Sequence, residues 1–513
     1  MRSALAVVLA AIALLALAGS AAASGPALPS ADPFYTYSGS LAPLAPGTVL
    51  RQRSVLIAEG ATSTPISATQ VLYRTTGQLR QPTATVATIL RPATQALVTK
   101  IVSYQTAYDA LGSQCDPSYT LQGGNSSYAT AQDEEQIILG YLSAGDTVVV
   151  PDYEGENLDW AAGQESGYGT LDGIRAAESL LGASAAGTPV GMVGYSGGSI
   201  ATDFAAELAP SYAPALNIVG TAEGGIPVDF FHNLAYINGS PDWSGVIPAV
   251  LVSLSRAFGV SFQPYLSPYG LQVTNQVKDQ CINDFVGNYP GLTYEKLLGP
   301  RYQDIYALPP LARIGNGLIM GRTGTPREPV FIGVGNADGT GDGVMVVQDD
   351  EALAHTYCQR GVSVQFNVYQ GDDHTQAAVP FELGALTFLT NRLGGQPVAD
   401  GCGSVGTGNS LAPLSVPTSP PPRIALRFFD LGRKKHLHGV EIELATTTGT
   451  LRHLTVTLRR GRTVIQRTRV GRLTTARHRI ILRQKRQMPR PGRYVIRVTQ
   501  GAATLLHRTL KIR

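Results

Sequence analysis

The sequence predicts an α/β protein with a mostly parallel sheet covered by helices, followed by a smaller all-β domain. From about residue 55 to residue 388, continuously apolar runs typical of buried strands alternate with amphipathic helical runs. Residues 403–422 have the Gly, Ser and Pro composition of a linker. Beyond them, short β-rich runs recur with almost no helical pattern, at a spacing typical of a β-sandwich.

Composition places the chain among folded proteins and divides it electrostatically. Hydrophobic residues make up 43% and charged residues 15% of the 513 residues, which excludes charge-rich disorder. The formal net charge of +3 conceals two opposite parts. Residues 421–513 hold 23 Lys and Arg against 3 Asp and Glu, whereas the remainder holds 17 against 34.

The first 24 residues have the pattern of a secretory signal peptide. Arg2 precedes an apolar run over residues 4–18, and small residues follow at 21–23. Fifteen residues are too few for a membrane-spanning helix, which needs about 20. We therefore expect cleavage near Ala23 or Ser24 and a secreted, soluble mature protein.

The individual elements of the first domain follow from the same patterns. Strand candidates are 99–105, 146–151, 189–195, 217–222, 329–335 and 363–369, with an antiparallel lead-in at 53–58 and 84–91. Helix candidates include 170–183, 198–208 and 347–360. Residues 225–325 carry no strand pattern, which predicts an inserted subdomain with short helices such as 246–258.

The sharpest motif is the pentapeptide GYSGG at residues 194–198. It follows a β-rich run and opens a helical run, which is the setting of a nucleophile elbow. The glycines permit the tight turn that presents a serine hydroxyl at the edge of a sheet. An ordinary Gly-rich turn is the alternative. The context favours Ser196 as a nucleophile.

A serine nucleophile needs a base and an orienting acid. Only three histidines precede the linker: His232, His355 and His374. His374 lies between the last strand and the last helix, which agrees with the Ser, acid, His chain order of α/β-hydrolases. The loop GNADGTGDGV supplies the acid, and position alone leaves both Asp338 and Asp342 open.

The oxyanion of such a reaction needs two N–H donors. Gly197 follows the nucleophile and offers its backbone N–H, and the segment 103–115 is the candidate source of the second donor. No metal or cofactor is expected, because the sequence contains neither HExxH nor GxxxxGK[ST] and no CxxC pair.

Several longer stretches make the chain resemble the secretory lipase family over about residues 30–402. They are YQTAYDALGSQCDPSY (104–119), DYEG (152–155), LDGIRAAES (171–179), GYSGGS (194–199) and ELAPSYAPALNIVGTAEGGIPVD (207–229). The resemblance implies an α/β-hydrolase fold in which residues 225–325 form a mostly helical cap.

The resemblance also implies roles for individual residues. Ser196 is the nucleophile, His374 the base and Asp342 the acid, with Asp338 as the runner-up. The second oxyanion donor is the backbone N–H of Asp109. The implied disulfides pair Cys115 with Cys281 and Cys358 with Cys402. The basic domain lies outside the family pattern.

These expectations favour an exported carboxylic ester hydrolase, a triacylglycerol lipase that works on ester or lipid substrates at a lipid–water interface. A short-chain esterase, a polyester hydrolase and an acyltransferase would use the same triad. A surface-binding protein that relies on its basic domain is a further alternative.

In residues 423–513, arginines alternate with Val, Ile, Leu and Thr, which predicts a buried face and a cationic face. We expect either a merely solvated face or binding to an anionic cell-surface polymer or lipid. Nucleic acid is not expected as a partner of an exported protein. The sequence predicts no oligomeric state.

Overall fold

A computed structural model describes most of the chain. The described residues are 25–58, 65–94, 97–124, 133–299, 302, 304–416, 424–430, 439–446, 451–461, 463–474, 476, 478–483, 492–500 and 503–512. The expected signal peptide, residues 1–24, lies outside them. The chain divides into two compact units, Met1–Val416 and Pro417–Arg513.

The first unit is built on a nine-stranded mixed sheet. Its strands are β1 (Val49–Val55), β2 (Ile66–Thr76), β3 (Pro82–Pro92), β4 (Ile101–Gln105), β5 (Thr147–Pro151), β6 (Pro189–Tyr195), β7 (Asn217–Gly224), β8 (Val330–Asn336) and β9 (Val364–Gln370). Their order is β1-β2-β3-β5-β4-β6-β7-β8-β9. Strands β1, β2, β3 and β5 pair antiparallel, and the remaining pairs are parallel. The expected parallel sheet with an antiparallel lead-in is therefore present.

Helices connect these strands. They are α1 (Pro117–Thr120), α2 (Glu135–Ser143), α3 (Gly163–Leu181), α4 (Gly197–Tyr212), α5 (Phe230–Tyr236), α6 (Val246–Ala257), α7 (Pro268–Val277), α8 (Ile282–Phe285), α9 (Tyr294–Leu297), α10 (Pro309–Leu318), α11 (Val347–Gln359) and α12 (His374–Leu393). Short 3₁₀ turns occur at Pro29–Ala31, Pro33–Tyr35, Ser113–Cys115, Trp243–Gly245, Gln263–Tyr265, Ile305–Ala307 and Cys402–Ser404. In the part of the chain that the structure describes, no helix is long and apolar enough to span a bilayer.

Both faces of the sheet are covered by apolar packing. On one face, Leu171 and Ile174 of α3 and Ala205 of α4 bury against strand residues such as Val149. On the other face, helices α2 and α12 pack against the sheet, and Phe381 of α12 belongs to the core that they form with it. Since the helices fix the sheet from both sides, the loops at the carboxyl ends of the parallel strands are held in place.

The predicted insertion lies between β7 and β8. Helices α5 to α10 occupy it, and its described residues form no strand. Their apolar side chains join one core with residues of β8 and α11, including Leu254, Phe285, Leu311, Ile332 and Leu353. The insertion is therefore packed onto the sheet domain and is not a separate body.

The predicted linker begins too early. Residues 403–416 lie on the first unit: Gly406 donates its N–H to Glu351 at 3.0 Å, and Asn316 bonds the backbone of Leu414 through both amide atoms. Leu411 and Leu414 also pack against the core beneath the insertion. The composition suggested a linker because these residues are small and polar, yet hydrogen bonds fix them. Residues 417–422 lie outside the described residues.

The second unit consists of two antiparallel sheets. Its strands are β10 (Ile424–Asp430), β11 (Gly439–Thr446), β12 (Leu451–Arg460), β13 (Thr463–Leu473), β14 (His478–Arg483), β15 (Gly492–Gln500) and β16 (Ala503–Ile512). Their orders are β10-β11-β14 and β13-β12-β15-β16. Ile442 and Leu444 of the first sheet share one core with Val456, Tyr494 and Ile496 of the second. This is the all-β domain that the sequence predicts after the linker.

Candidate active site

Ser196 stands on a sharp turn between β6 and α4. Its backbone adopts φ 54° and ψ −122°, a strained conformation that few residues other than glycine adopt. The N–H of Ser196 donates to the carbonyl of Gly224 on β7 at 2.8 Å, which fixes the turn to the sheet. This strand–turn–helix geometry is the one the pentapeptide predicted.

The glycines beside Ser196 are required by close approach of neighbouring groups. A β-carbon on Gly198 would overlap the carbonyl oxygen of Gln105 at the end of β4. A β-carbon on Gly197 would overlap the carboxylate of Asp109. The elbow therefore packs directly on the loop that follows β4, and a larger residue at either position would displace that loop.

A chain of hydrogen bonds joins Ser196 to a histidine and an acid. The Nε2 atom of His374 lies 2.7 Å from Ser196 Oγ, and its Nδ1 atom lies 2.7 Å from Asp342 Oδ2. The other Asp342 oxygen, Oδ1, accepts the N–H groups of Val344 at 2.9 Å and Met345 at 2.6 Å. His374 is 5% and Asp342 1% exposed, so water is largely kept from this chain.

The alternative acid, Asp338, lies away from His374. It is exposed and its Oδ1 atom accepts the N–H groups of Thr340 and Gly341 at 2.7 and 3.0 Å. Its Oδ2 atom accepts the hydroxyl of Tyr236 at 2.9 Å. These hydrogen bonds, led by that of Gly341, lower the pKa of Asp338. Asp338 shapes the turn that carries Asp342.

The imidazole of His374 is fixed by its surroundings. Asp373 caps α12 by accepting the N–H groups of Thr375 and Gln376, which places His374 at the first helical position. The ring of Tyr195 lies 5.0 Å from the imidazole, and its hydroxyl donates to the His374 carbonyl at 2.7 Å. The indole of Trp243, from the insertion, meets the imidazole edge-on at 5.2 Å.

The other two histidines of the first unit lie outside this arrangement. His232 Nδ1 bonds Asp349 Oδ1 at 2.9 Å, and this hydrogen bond raises its pKa. His355 is half-buried on α11, where its Nε2 lies 2.8 Å from Gln359 Nε2. Among the described residues, no group of three His, Cys, Asp or Glu side chains could hold a metal ion.

Asp109 lies against the elbow and lines the same pocket as Ser196 and Gly197. Its backbone has φ 38°, its side chain is 4% exposed, and Oδ1 has no hydrogen-bond partner among the described residues. Burial raises the pKa of Asp109 to about 7, opposed by the nearby imidazole of His374. A buried carboxyl group thus lines the pocket beside Ser196.

A buried glutamate that the sequence analysis did not single out holds the Asp109 loop. The Glu154 carboxylate accepts the N–H of Ala110 at 3.0 Å, and the Glu154 N–H donates to the hydroxyl of Tyr108 at 2.7 Å. Glu154 therefore fixes the residues on both sides of Asp109. Its only signal in the sequence was the stretch DYEG, which indicated a resemblance and no role.

An apolar pocket opens at Ser196. Of the twenty described residues that line it, eleven come from the insertion, among them Phe230, Trp243 and Val246. The rest of the wall includes Ile200 and Phe204 of α4. Polar groups in this wall are few, so the pocket suits a hydrocarbon chain.

The two disulfides have the pairing that the resemblance implied. Cys115 bonds Cys281, and Cys358 bonds Cys402. The first joins the loop after Asp109 to the insertion. The second joins the end of α11 to the segment after α12.

The chain is similar in sequence to several known lipases. The secretory lipase family model matches residues 122–401. A probable inactive lipase of Mycobacterium tuberculosis is 34% identical over 384 residues, 73% of this chain and 84% of the relative. Lipase A of Arthroderma benhamiae is 34% identical over 404 residues, 74% and 83% of the two chains. The secreted triacylglycerol lipase LIP1 of Malassezia furfur is 30% identical over 384 residues, 72% and 77% of the two chains.

A solved structure also matches. The crystal structure of Candida antarctica lipase A superposes with a TM-score of 0.68 at 30% identity, covering 74% of this chain and 89% of that chain. The matched share corresponds in size to the first unit.

Proposed function

Because the chain belongs to the secretory lipase family and has an α/β-hydrolase fold, we propose that it is an exported serine lipase that cleaves triacylglycerols. The observation that carries the proposal is the hydrogen-bonded chain Ser196–His374–Asp342 at the mouth of an apolar pocket. These three hydrogen-bonded residues supply the chemistry of acyl transfer, and the pocket supplies a binding site for the acyl group.

Acylation begins when the Ser196 hydroxyl attacks the ester carbonyl carbon. His374 Nε2 takes the hydroxyl proton, and Asp342 stabilises the imidazolium through Nδ1. The carbonyl oxygen becomes an oxyanion, which the backbone N–H groups of Gly197 and Asp109 stabilise. The carbon–oxygen bond to the leaving alcohol then breaks, and His374 returns the proton to that alcohol.

Deacylation repeats these steps with water as the nucleophile. His374 Nε2 accepts a proton from the water that attacks the acyl-enzyme, and the oxyanion forms again at the same donors. The bond to Ser196 Oγ breaks, and the serine recovers its proton from His374. The carboxylic acid leaves and the enzyme is restored.

We further propose that residues 225–325 act as the cap that binds the acyl chain. Of the apolar residues on α6, Val246 and Val250 line the pocket. Leu251 and Leu254 are only 2% and 0% exposed and belong to the core. One helix thus presents one apolar side to the acyl chain and another to the protein interior.

Membership of the family alone does not establish that a protein is an active lipase, since one relative is named a probable inactive lipase. The test is hydrolysis of p-nitrophenyl esters of increasing acyl length by the secreted protein. We expect turnover that persists with long acyl chains, loss of activity in Ser196→Ala, and retained activity in the control Ser211→Ala on the exposed end of α4.

Other outcomes would support the alternatives. Activity confined to short chains would favour an esterase, and preferential transfer to an added alcohol would favour an acyltransferase. The absence of turnover at any length would contradict the proposal and favour a binding protein.

A further inference from the structure

The positive charge of the second unit is concentrated on one of its two sheets. Strands β12, β13, β15 and β16 contain ten Lys and Arg and no Asp or Glu. The three acidic residues of this region, Asp430, Glu441 and Glu443, all lie on the other sheet. The four strands of this sheet therefore carry ten basic residues and no acidic one.

The outer face of this sheet carries most of these cations. Val456, Val470 and Tyr494 point into the core that the two sheets share. Because successive side chains of a strand point to opposite faces, their neighbours in alternate positions point outward. The outward cations include Arg459, Arg467, Arg469, Arg493, Arg497 and Lys511. Of these, Arg467, Arg469, Arg493 and Lys511 are exposed, and Arg459 and Arg497 are half-buried.

The strand register places cations and hydroxyl groups in rows across the sheet. Arg467 pairs with Thr457, which pairs with Arg497, which pairs with His507. Adjacent strands lie about 4.8 Å apart, so Arg467 and Arg497 stand about 10 Å apart with a threonine between them. A shallow depression on this face is lined by three threonines, three arginines and one valine: Thr455, Thr457, Thr499, Arg459, Arg467, Arg497 and Val464.

On its described strands, this face lacks the side chains with which proteins stack nucleic-acid bases or anchor in a bilayer. Tyr494 is the only Phe, Trp or Tyr of these four strands, and it is 1% exposed. No aromatic platform is therefore available for stacking nucleic-acid bases, and a flat sheet face does not enter a duplex groove as a helix does. Among the described side chains, the outward apolar residues are Val464 and Val495, which are too small to anchor the protein in a bilayer.

We propose that the outer face of the β13-β12-β15-β16 sheet binds an acidic polysaccharide. Guanidinium groups pair with carboxylates through two parallel hydrogen bonds, and threonine hydroxyls between them match the hydroxyls of sugar rings. Several weak contacts along one polymer combine into a useful affinity. Binding would hold the protein on a polysaccharide-bearing surface. It would not change the rate of ester hydrolysis on soluble substrates.

The test uses the full-length protein and immobilised polygalacturonate, with neutral dextran as the uncharged control. The double variant Arg467→Gln/Arg469→Gln removes two exposed charges from the outer face. We expect its dissociation constant at about 50 mM salt to rise about tenfold, and binding of the unaltered protein to weaken steeply as salt is added.

A matched double variant, Arg427→Gln/Arg479→Gln, removes the same charge from the opposite sheet. There the two arginines flank Glu443 in register, so their positive charge is locally compensated. We expect this variant to bind polygalacturonate as the unaltered protein does. Both double variants should keep the melting temperature and the turnover of p-nitrophenyl butyrate.

Three results would overturn the proposal. Equal loss of binding in the two double variants would show that net charge alone matters. Binding that salt does not weaken, or that dextran matches, would exclude recognition by the cationic face. Tighter binding to duplex DNA or to phosphatidylserine vesicles than to polygalacturonate would assign the face to a different class of partner.

Discussion

The carboxylate of Asp109 occupies the space that a β-carbon on Gly197 would need. The two residues proposed to stabilise the oxyanion are thus in direct contact, one on the loop after β4 and the other at the start of α4. Gly197 therefore cannot carry a larger side chain unless Asp109 moves.

Replacement of Gly197 by alanine should therefore impair catalysis more than folding. The new methyl group would push Asp109 and its N–H away from the oxyanion, and we expect kcat to fall about 100-fold. Gly317→Ala is the control, because no atom lies near its added β-carbon. Similar kcat values for the two variants, measured with p-nitrophenyl butyrate, would contradict this role of the contact.

The two candidate acids should respond very differently to amidation. Asp342→Asn removes the group that orients His374, and we expect kcat to fall about 10⁴-fold. Asp338→Asn changes only the turn, and we expect a loss of about threefold or less. Steady-state kinetics of both variants distinguish the two roles, and the reverse ranking would place the acid at Asp338.

The two aspartates also show which part of the site the sequence alone left open. The elbow motif and the position of His374 in the chain selected two members of the proposed triad. Asp338 and Asp342 lie four residues apart in one loop, and position alone could not separate them. The resemblance to the family favoured Asp342, and the structure adds the hydrogen bonds to Tyr236 and to the backbone of residues 340–345 that distinguish the two residues.

Parts of the fold were missed for similar physical reasons. Strand β2 went unrecognised because its sequence mixes polar and apolar residues, although Gln70 is fully buried and bonds the Ser118 carbonyl. Helix α3 begins at Gly163, seven residues before the predicted start. Glycine has a low helix propensity, so this Gly-rich stretch shows no helical pattern. A β-carbon on Gly163 or Gly167 would overlap Phe204, so these glycines instead allow α3 to pack closely on α4.

The preference of the enzyme for the length of the acyl chain should depend on Val246. This residue is partly exposed and lines the pocket, so Val246→Trp should fill space that a long chain needs. We expect kcat/KM for p-nitrophenyl palmitate to fall about tenfold or more, with the acetate ester affected about twofold or less.

The control for Val246 lies on the same helix. Val252 is also partly exposed but lines a different surface groove, and Val252→Trp should leave the chain-length profile unchanged. A profile that Val246→Trp does not alter would exclude this wall of the pocket from acyl binding.

The free energy of unfolding should fall as the pH rises toward neutrality, in part because of Glu382. Burial raises the pKa of Glu382 to about 7, partly opposed by the hydroxyl that Tyr104 donates at 2.9 Å. Between the ordinary glutamate pKa and about 7, the folded state holds a proton that the unfolded state has lost. The free energy of unfolding therefore decreases with rising pH in this window.

Glu382→Gln should remove this contribution, because glutamine stays neutral and still accepts the Tyr104 hydroxyl. Relative to the unaltered protein, we expect the variant to gain about 2 kcal/mol in unfolding free energy between pH 5 and pH 8. Denaturant unfolding at both pH values measures the change. The exposed control Glu295→Gln should show no such gain, and a pH-independent difference for Glu382→Gln would refute the assignment.

Covalent labelling tests the central claim most directly. A p-nitrophenyl alkylphosphonate should react with Ser196 Oγ, release p-nitrophenolate and leave one phosphonyl group per molecule. Peptide mass spectrometry should locate that group on Ser196, and activity should fall in proportion to labelling. His374→Ala should react far more slowly, since the base is missing. A label on another residue, or full labelling of Ser196 with activity retained, would contradict the account.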